Sequence, residues 1–183
     1  VETAQSNVHV TYHQLYVADA DTLPDPKYLL VFDNGLVAIQ PGIAVVSTGI
    51  HTGNVAVTVQ IWDQAAPAPT SAHQEEWDEI AEVTLEAHDA GEVGVVGLMS
   101  DLPGLPELTP GGPGRYRLRI YARGRDTLVD GVATEPVEDY LIMTWPTQLD
   151  DQEIIYRQTD DYGATLRASA QHARATRRWG GEQ

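Results

Sequence analysis

The side chains of this 183-residue sequence with most chemical reach are six histidines, several clusters of aspartate and glutamate, and a row of arginines. His9 and His13 lie four apart, the spacing at which two histidines on a helix share one metal ion. Their setting, Val8 to Ala18 (VHVTYHQLYVA), is instead rich in β-branched and aromatic residues and reads as a strand. Four strand residues span about 13 Å, whereas zinc ligands stand about 2 Å from the metal. His51, His73 and His88 are isolated. Asp19, Asp21 and Asp25 imitate the start of a calcium loop, but the sixth and twelfth places hold Pro24 and Leu30 where glycine and glutamate are required. No Gly-x-Ser-x-Gly elbow and no GxxxxGK[ST] loop occurs. Pro110 to Gly114 is glycine-rich but lacks the lysine and hydroxyl of a phosphate loop, so it reads as a turn. No catalytic residue, metal site or cofactor is expected.

Two charged constellations remain. Arg115, Arg117 and Arg119 alternate with Tyr116, Leu118 and Ile120, so they share one strand face, with Arg123 and Arg125 following. Such a row is either an anion-binding strip or a solvated outer face paired with Glu79, Glu82 and Glu86 on a neighbouring strand; the excess of acid favours the second. Glu75, Glu76, Asp78 and Glu79 surround Trp77, an aromatic anchor in a ring of carboxylates that suits a basic protein partner. Asp150, Asp151 and Glu153 form a second acidic strip. Trp62 and Trp77 flank the loop at Gln64 to Ala72; exposed together they would stack on a sugar, buried they close the core.

Lys and Arg number 11 against 27 Asp and Glu, a formal net charge of −16, and Lys27 is the single lysine. After Gly163 the balance reverses, with Arg167, Arg174, Arg177 and Arg178 against Glu182, so the rest is more acidic still. Such a body repels nucleic acid and anionic membranes, whose binding needs Lys and Arg on phosphate, and it attracts basic partners. The absence of cysteine excludes disulfides and thiolate sites and fits a cytoplasmic protein. Val1 to Asn7 has neither the basic nor the apolar region of a signal peptide.

The elements that must position these residues are strands. Val55, Val57, Val59 and Ile61 alternate with Ala56, Thr58, Gln60 and Trp62, the period of a strand with one face on a core. Glu79 to His88 alternates likewise, and Asp89 to Glu92 is expected to turn it into Val93 to Met99 as a hairpin. Leu36 to Ile39 and Ile43 to Ser47 flank Gln40-Pro41-Gly42. Arg115 to Tyr121 and Val137 to Trp145 complete eight or nine strands at the spacing of a two-layer antiparallel β-sandwich. Past Pro146 the composition changes. The division expected is a sandwich over residues 1–146 and a C-terminal extension over 147–183, acidic and then basic. From Asp160 onward the extension suits an Asp-capped helix with a thin apolar face, mobile or docked on a partner.

Several segments together resemble the competence-associated DNA-entry nuclease inhibitor family, the competence protein J-like proteins. These are Thr11 to Val17, Gly35 to Thr48 followed by Val55 to Trp62, Val83-Thr84-Leu85, Gly94 to Asp101 and Gly114 to Arg119. Their order and spacing cover residues 8–145; the extension and the Leu102 to Gly114 insertion fall outside. The resemblance implies a small β-protein without catalytic residues that inhibits a nuclease by binding it. The combined expectation is a binding protein, of inhibitor or immunity type, that neutralises a bacterial nuclease or toxin through Glu75, Glu76, Trp77, Asp78, Glu79, Asp150, Asp151 and Glu153. The alternative is a carbohydrate- or small-molecule-binding sandwich using Trp62 and Trp77.

Overall fold

From Thr52 to Ile61, partly exposed and buried residues alternate without a break, and strands account for 45% of the protein. The computed structural model describes residues 1–19, 22–88, 92–98, 104–148 and 152–180. In chain order the elements are β1 (Glu2–Thr11), β2 (Gln14–Asp19), β3 (Val37–Gln40), β4 (Ile43–Ser47), β5 (Thr52–Ile61), the short helix α1 (Ser71–Glu75), β6 (Glu79–Ala87) and β7 (Val93–Gly97). Then follow β8 (Gly114–Arg123), β9 (Val132–Ala133), β10 (Asp139–Thr147), β11 (Ile154–Gln158) and the helix α2 (Asp161–Gly180).

All the strands join one sheet. Nine lie along the path β11-β6-β8-β10-β5-β1-β2-β4-β3, with β7 on β2 and β9 on β5. The sheet curls into a half-barrel, and β10 and β9 run parallel to β5. The protein is therefore mostly β, as expected, but not a two-layer antiparallel sandwich. Alternation reports that one face of a strand is buried; it does not distinguish a second sheet from the same sheet curling back over itself.

Two local expectations change with it. Val8 to Ala18 is not one strand: Thr11 pairs with Gln14, and Tyr12 and His13 between them take φ of 54° and 61°. Positive φ at both central residues is the backbone of a type I′ hairpin turn, here built without the Asn-Gly that announces it. The strand-spacing argument for His9 and His13 lapses accordingly; His9 lies on β1 and meets Asn54, its Nδ1 3.3 Å from Oδ1. β7 does not fold back on β6 but pairs with β2, Val93 opposite Asp19. The turn residues expected to make that hairpin, 89–91, lie outside the described residues.

The concave side holds the main core, including Val10, Leu15, Val17, Val57, Leu85, Leu118, Ile120 and Ile142. A second cluster lies on the outer side of β6, β8 and β10, where Trp77, Ile80, Tyr121, Leu141, Met143 and Trp145 pack with Ala66. Both faces of these central strands are thus covered. β10 accordingly reads as a nearly continuous apolar run, Tyr-Leu-Ile-Met-Thr-Trp.

The boundary expected after Pro146 falls inside β10. Beyond it, β11 adds to β6, with Ile154 opposite Glu82 and Gln158 opposite Glu79. Asp160 caps α2, its Oδ1 accepting the Gly163 N–H at 2.8 Å. The expected capped helix forms, and it is docked on the sheet: Ala170 is buried, and Arg174 pairs with Asp33.

Candidate functional site

The acidic ring around Trp77 does not surround an exposed anchor. Glu75 and Glu76 stand in solvent at the end of α1, and Asp78 is half-buried. Trp77 itself is turned inward, its ring centroid 5.5 Å from that of Tyr121, with the Arg123 guanidinium 5.0 Å over its face. Glu79 is only 1% exposed. Glu153 is exposed and accepts the Asn34 side-chain amide at 2.6 Å; Asp150 and Asp151 lie outside the described residues. Trp62 does not pair with Trp77 on an open surface. With Trp145 and Tyr116 it lines a cleft of about 150 Å³.

The arginine row faces the carboxylates of the neighbouring strand as expected, but while Arg115 is exposed, Arg117 and Arg119 are not. Arg119 opposes Glu82 and Arg115 opposes Glu86. Glu82 takes Arg117 through Oε1 at 2.8 Å and Arg119 through Oε2 at 2.7 Å. Both arginines are 2% exposed. The main-chain oxygens of Pro67 and Gln152 accept further bonds from them, and the rings of Trp145 and Tyr156 lie near the Arg119 guanidinium. The loop before α1 and the segment leading into β11 cover what the sequence presents as an outer face. These guanidiniums are structural.

A second buried charge cluster sits where α2 meets the sheet. Arg125, fully buried, donates to both oxygens of Asp160 at 2.6 and 2.8 Å and to the carbonyls of Gly35 and Ser47. Burial alone would lower its pKa, but the hydrogen bonds to Asp160, together with the charges of Tyr140, Asp160 and Glu79, outweigh this and the net shift is upward. Glu79 accepts Arg167 from α2 at 3.1 Å. Burial, reinforced by repulsion from Asp160 and opposed by Arg125 and Arg167, pushes its pKa up to about 7. Glu138 accepts the N–H groups of Gly49 and Ile50 at 3.1 and 2.6 Å and the Tyr140 hydroxyl at 2.5 Å. Burial raises the pKa of both Glu138 and Tyr140.

These charges hold a surface in place. The loop after Arg125 runs across one end of the half-barrel, which we term the pole. Gly49 and Gly53 let it lie against the strands, since a Cβ at either would overlap the carbonyl oxygen of Arg125 or of Ala133. Asp126 in this loop accepts the first α2 amides, Asp161 and Tyr162, at 2.9 and 2.8 Å. Asp130, at φ 59°, accepts from His13 Nε2 at 3.1 Å and donates its N–H to Gly49 O. His13 Nδ1 lies 3.0 Å from Thr48 O, and its ring stacks on Tyr162 with centroids 5.9 Å apart. His51 packs edge-on against both His13 and Tyr12. Tyr12, Leu128, Val129 and Val132 are left facing solvent, 63%, 38%, 50% and 73% exposed. Tyr12, His13 and Asp130, the three non-glycine residues of positive φ among those described, all belong to this pole. Sequence reading missed it, because Tyr12 and His13 read as part of a strand, the loop after Arg125 carries no motif, and the two lie more than a hundred positions apart.

A single mixed β-sheet curled into a half-barrel, with a C-terminal helix docked at one end, is the class of protein these features define. No family model matches the chain, and no curated protein matches it in sequence. Its fold is similar to that of ComJ from Bacillus subtilis, described as an inhibitor of the DNA degrading activity of NucA. The match has 12% identity and a TM-score of 0.50 and covers 80% of this chain and 98% of ComJ. A protein described as crocagin biosynthetic gene J aligns over the same shares, 80% and 98%, with 14% identity and a TM-score of 0.44. The resemblance to the ComJ-like family seen in the sequence is thus also a resemblance of structure.

Proposed function

We propose that this protein is a non-catalytic, cytoplasmic binding protein of bacterial inhibitor or immunity type, which neutralises a basic nuclease or toxin by occupying its substrate-binding surface. The observation that carries the reading is the likeness of its half-barrel to almost the whole of ComJ, an inhibitor of a DNA-degrading nuclease. The charge of −16 supports it: a nuclease that grips phosphate presents cations, and an acidic protein competes for them while being drawn in electrostatically. Of the carboxylates expected to meet the partner, Glu75 and Glu76 at the end of α1 and Glu153 before β11 are exposed.

The test is inhibition of purified nucleases encoded beside this protein's gene, and of NucA, measured as DNA degradation against inhibitor concentration. Inhibition whose association rate drops steeply between low and physiological salt is expected. Full nuclease activity at saturating protein, for every nuclease tried, would sink the reading. A second reading, a small-molecule site, rests on the cleft beside Trp62 and Trp145. A shift in tryptophan fluorescence across a glycan panel would favour it.

A further inference from the structure

We infer that the partner docks on the pole, with Tyr12, Leu128, Val129 and Val132 as the apolar centre and Asp126, Asp130 and Glu135 as the charged edge. The partner is then a folded protein that offers an apolar contact flanked by Lys or Arg. The inference rests on the inhibitor reading and adds to it the surface used.

Three observations point the same way. First, four large apolar side chains stand exposed in one connected area. Tyr12 contacts His51, the His51 and Thr52 amides donate to Gly131 O, Val132 pairs with Thr52, and the Leu128 side chain lies against Gly131. Scattered apolar residues on a surface are ordinary, whereas a contiguous patch edged by polar groups is how protein interfaces are built. Second, the charge along the loop that carries the patch has one sign. From Asp126 to Glu135 the exposed ionisable residues are Asp126, Asp130 and Glu135, and no Lys or Arg is among them. An edge of this kind repels phosphate and anionic lipid and complements a cationic protein. Third, the patch is rigidly mounted. Buried Arg125 anchors the loop from below, Asp126 ties it to the amides of α2, and His13 ties it to the β1–β2 turn. Left-handed backbone at Tyr12, His13 and Asp130 is unfavourable for residues with a Cβ and persists because these contacts impose it. A surface already ordered loses less entropy on binding.

The test uses full-length protein carrying a photo-crosslinking phenylalanine analogue at position 132 or, as the comparison, at position 75. Each is irradiated at low salt in extract of the source cell, and the captured protein is purified. Its affinity is then measured for the wild type, Val132→Arg and Glu75→Lys, with melting temperature as the control on folding. The inference predicts capture from position 132 of a basic nuclease or toxin that the wild type inhibits. Val132→Arg, whose side chain is in solvent, should weaken its binding at least tenfold with an unchanged melting temperature, and Glu75→Lys by less than twofold. If the wild type binds and inhibits while Val132→Arg does so equally well, or if only position 75 captures the inhibited protein, the docking surface is overturned and the inhibitor reading stands. Capture of an acidic protein at position 132 overturns the charge argument. No capture from either position, with no inhibition by the wild type, removes both.

Discussion

Glu79 lies between two arginines and a second carboxylate, and the balance among them sets a pH dependence. Its pKa of about 7, against an ordinary 4.5, means that the folded protein keeps a proton that the unfolded chain releases. Between pH 4.5 and 7 folding therefore takes up a proton, and stability falls as pH rises through that window. Full titration corresponds to about 3 kcal/mol. Glu79→Gln should reduce the fall of the melting temperature between pH 4.5 and 7, leaving a shallower slope than the wild type's. The Arg125–Asp160 pair makes the opposite point. Arg125→Met leaves the Asp160 carboxylate buried without a cation and should cost about 3–5 kcal/mol in chemical denaturation; replacing both partners with apolar residues should recover part of that, less what the cap on α2 contributes. Sequence reading paired the arginine row with Glu82 correctly and placed Arg115 in solvent correctly, but assigned Arg117 and Arg119 there wrongly. Charge type and period are local properties, but what covers a strand's outer face is decided by segments near residues 66 and 152 that carry no covering signal.

At the scale of elements, the β1–β2 turn is the least predictable and the most testable. A tyrosine and a histidine occupy positions that glycine and asparagine favour, so the alternating apolar run around them reads as one strand. Tyr12→Asn should relieve backbone strain and, after the loss of the edge contact with His51, stabilise the protein by about 0.5 kcal/mol. If the pole is the docking surface, the same change weakens partner binding, the usual exchange of stability against function at a strained site. The helix was legible for the opposite reason: Asp160 is a local capping signal, and the cap forms where expected. Its docking was not legible, because Arg167 and Arg174 find Glu79 and Asp33 across the fold. A chain ending at Thr147 loses β11, α2 and Asp160 together. We expect it to be largely unfolded by circular dichroism, since Arg125 and the outer face of β6 would be left without partners.

Across the whole molecule, strand content and the acidic excess were readable from composition, whereas the curl was not. Period two is identical for a sandwich and a half-barrel, and the parallel pairing of β5 with β10 joins segments some eighty residues apart. The charge of −16 carries a consequence at the same scale. Exposed carboxylates repel one another over distances comparable with the Debye length, about 10 Å at 0.1 M salt, so added salt screens a net destabilising field. Buried pairs such as Arg125–Asp160 and Arg117–Glu82 are shielded from ions and hardly respond. The exposed pairs Arg123–Asp139 and Lys27–Asp25 are weakened by salt, but pairs in solvent contribute little to stability. Repulsion among the many should outweigh attraction in these few, so the melting temperature should rise by a few degrees between 10 mM and 300 mM sodium chloride at pH 7.5. Over the same range the proposed partner's association rate should fall. A melting temperature that falls as well would mean that exposed ion pairs, rather than the buried clamps, hold the domain together.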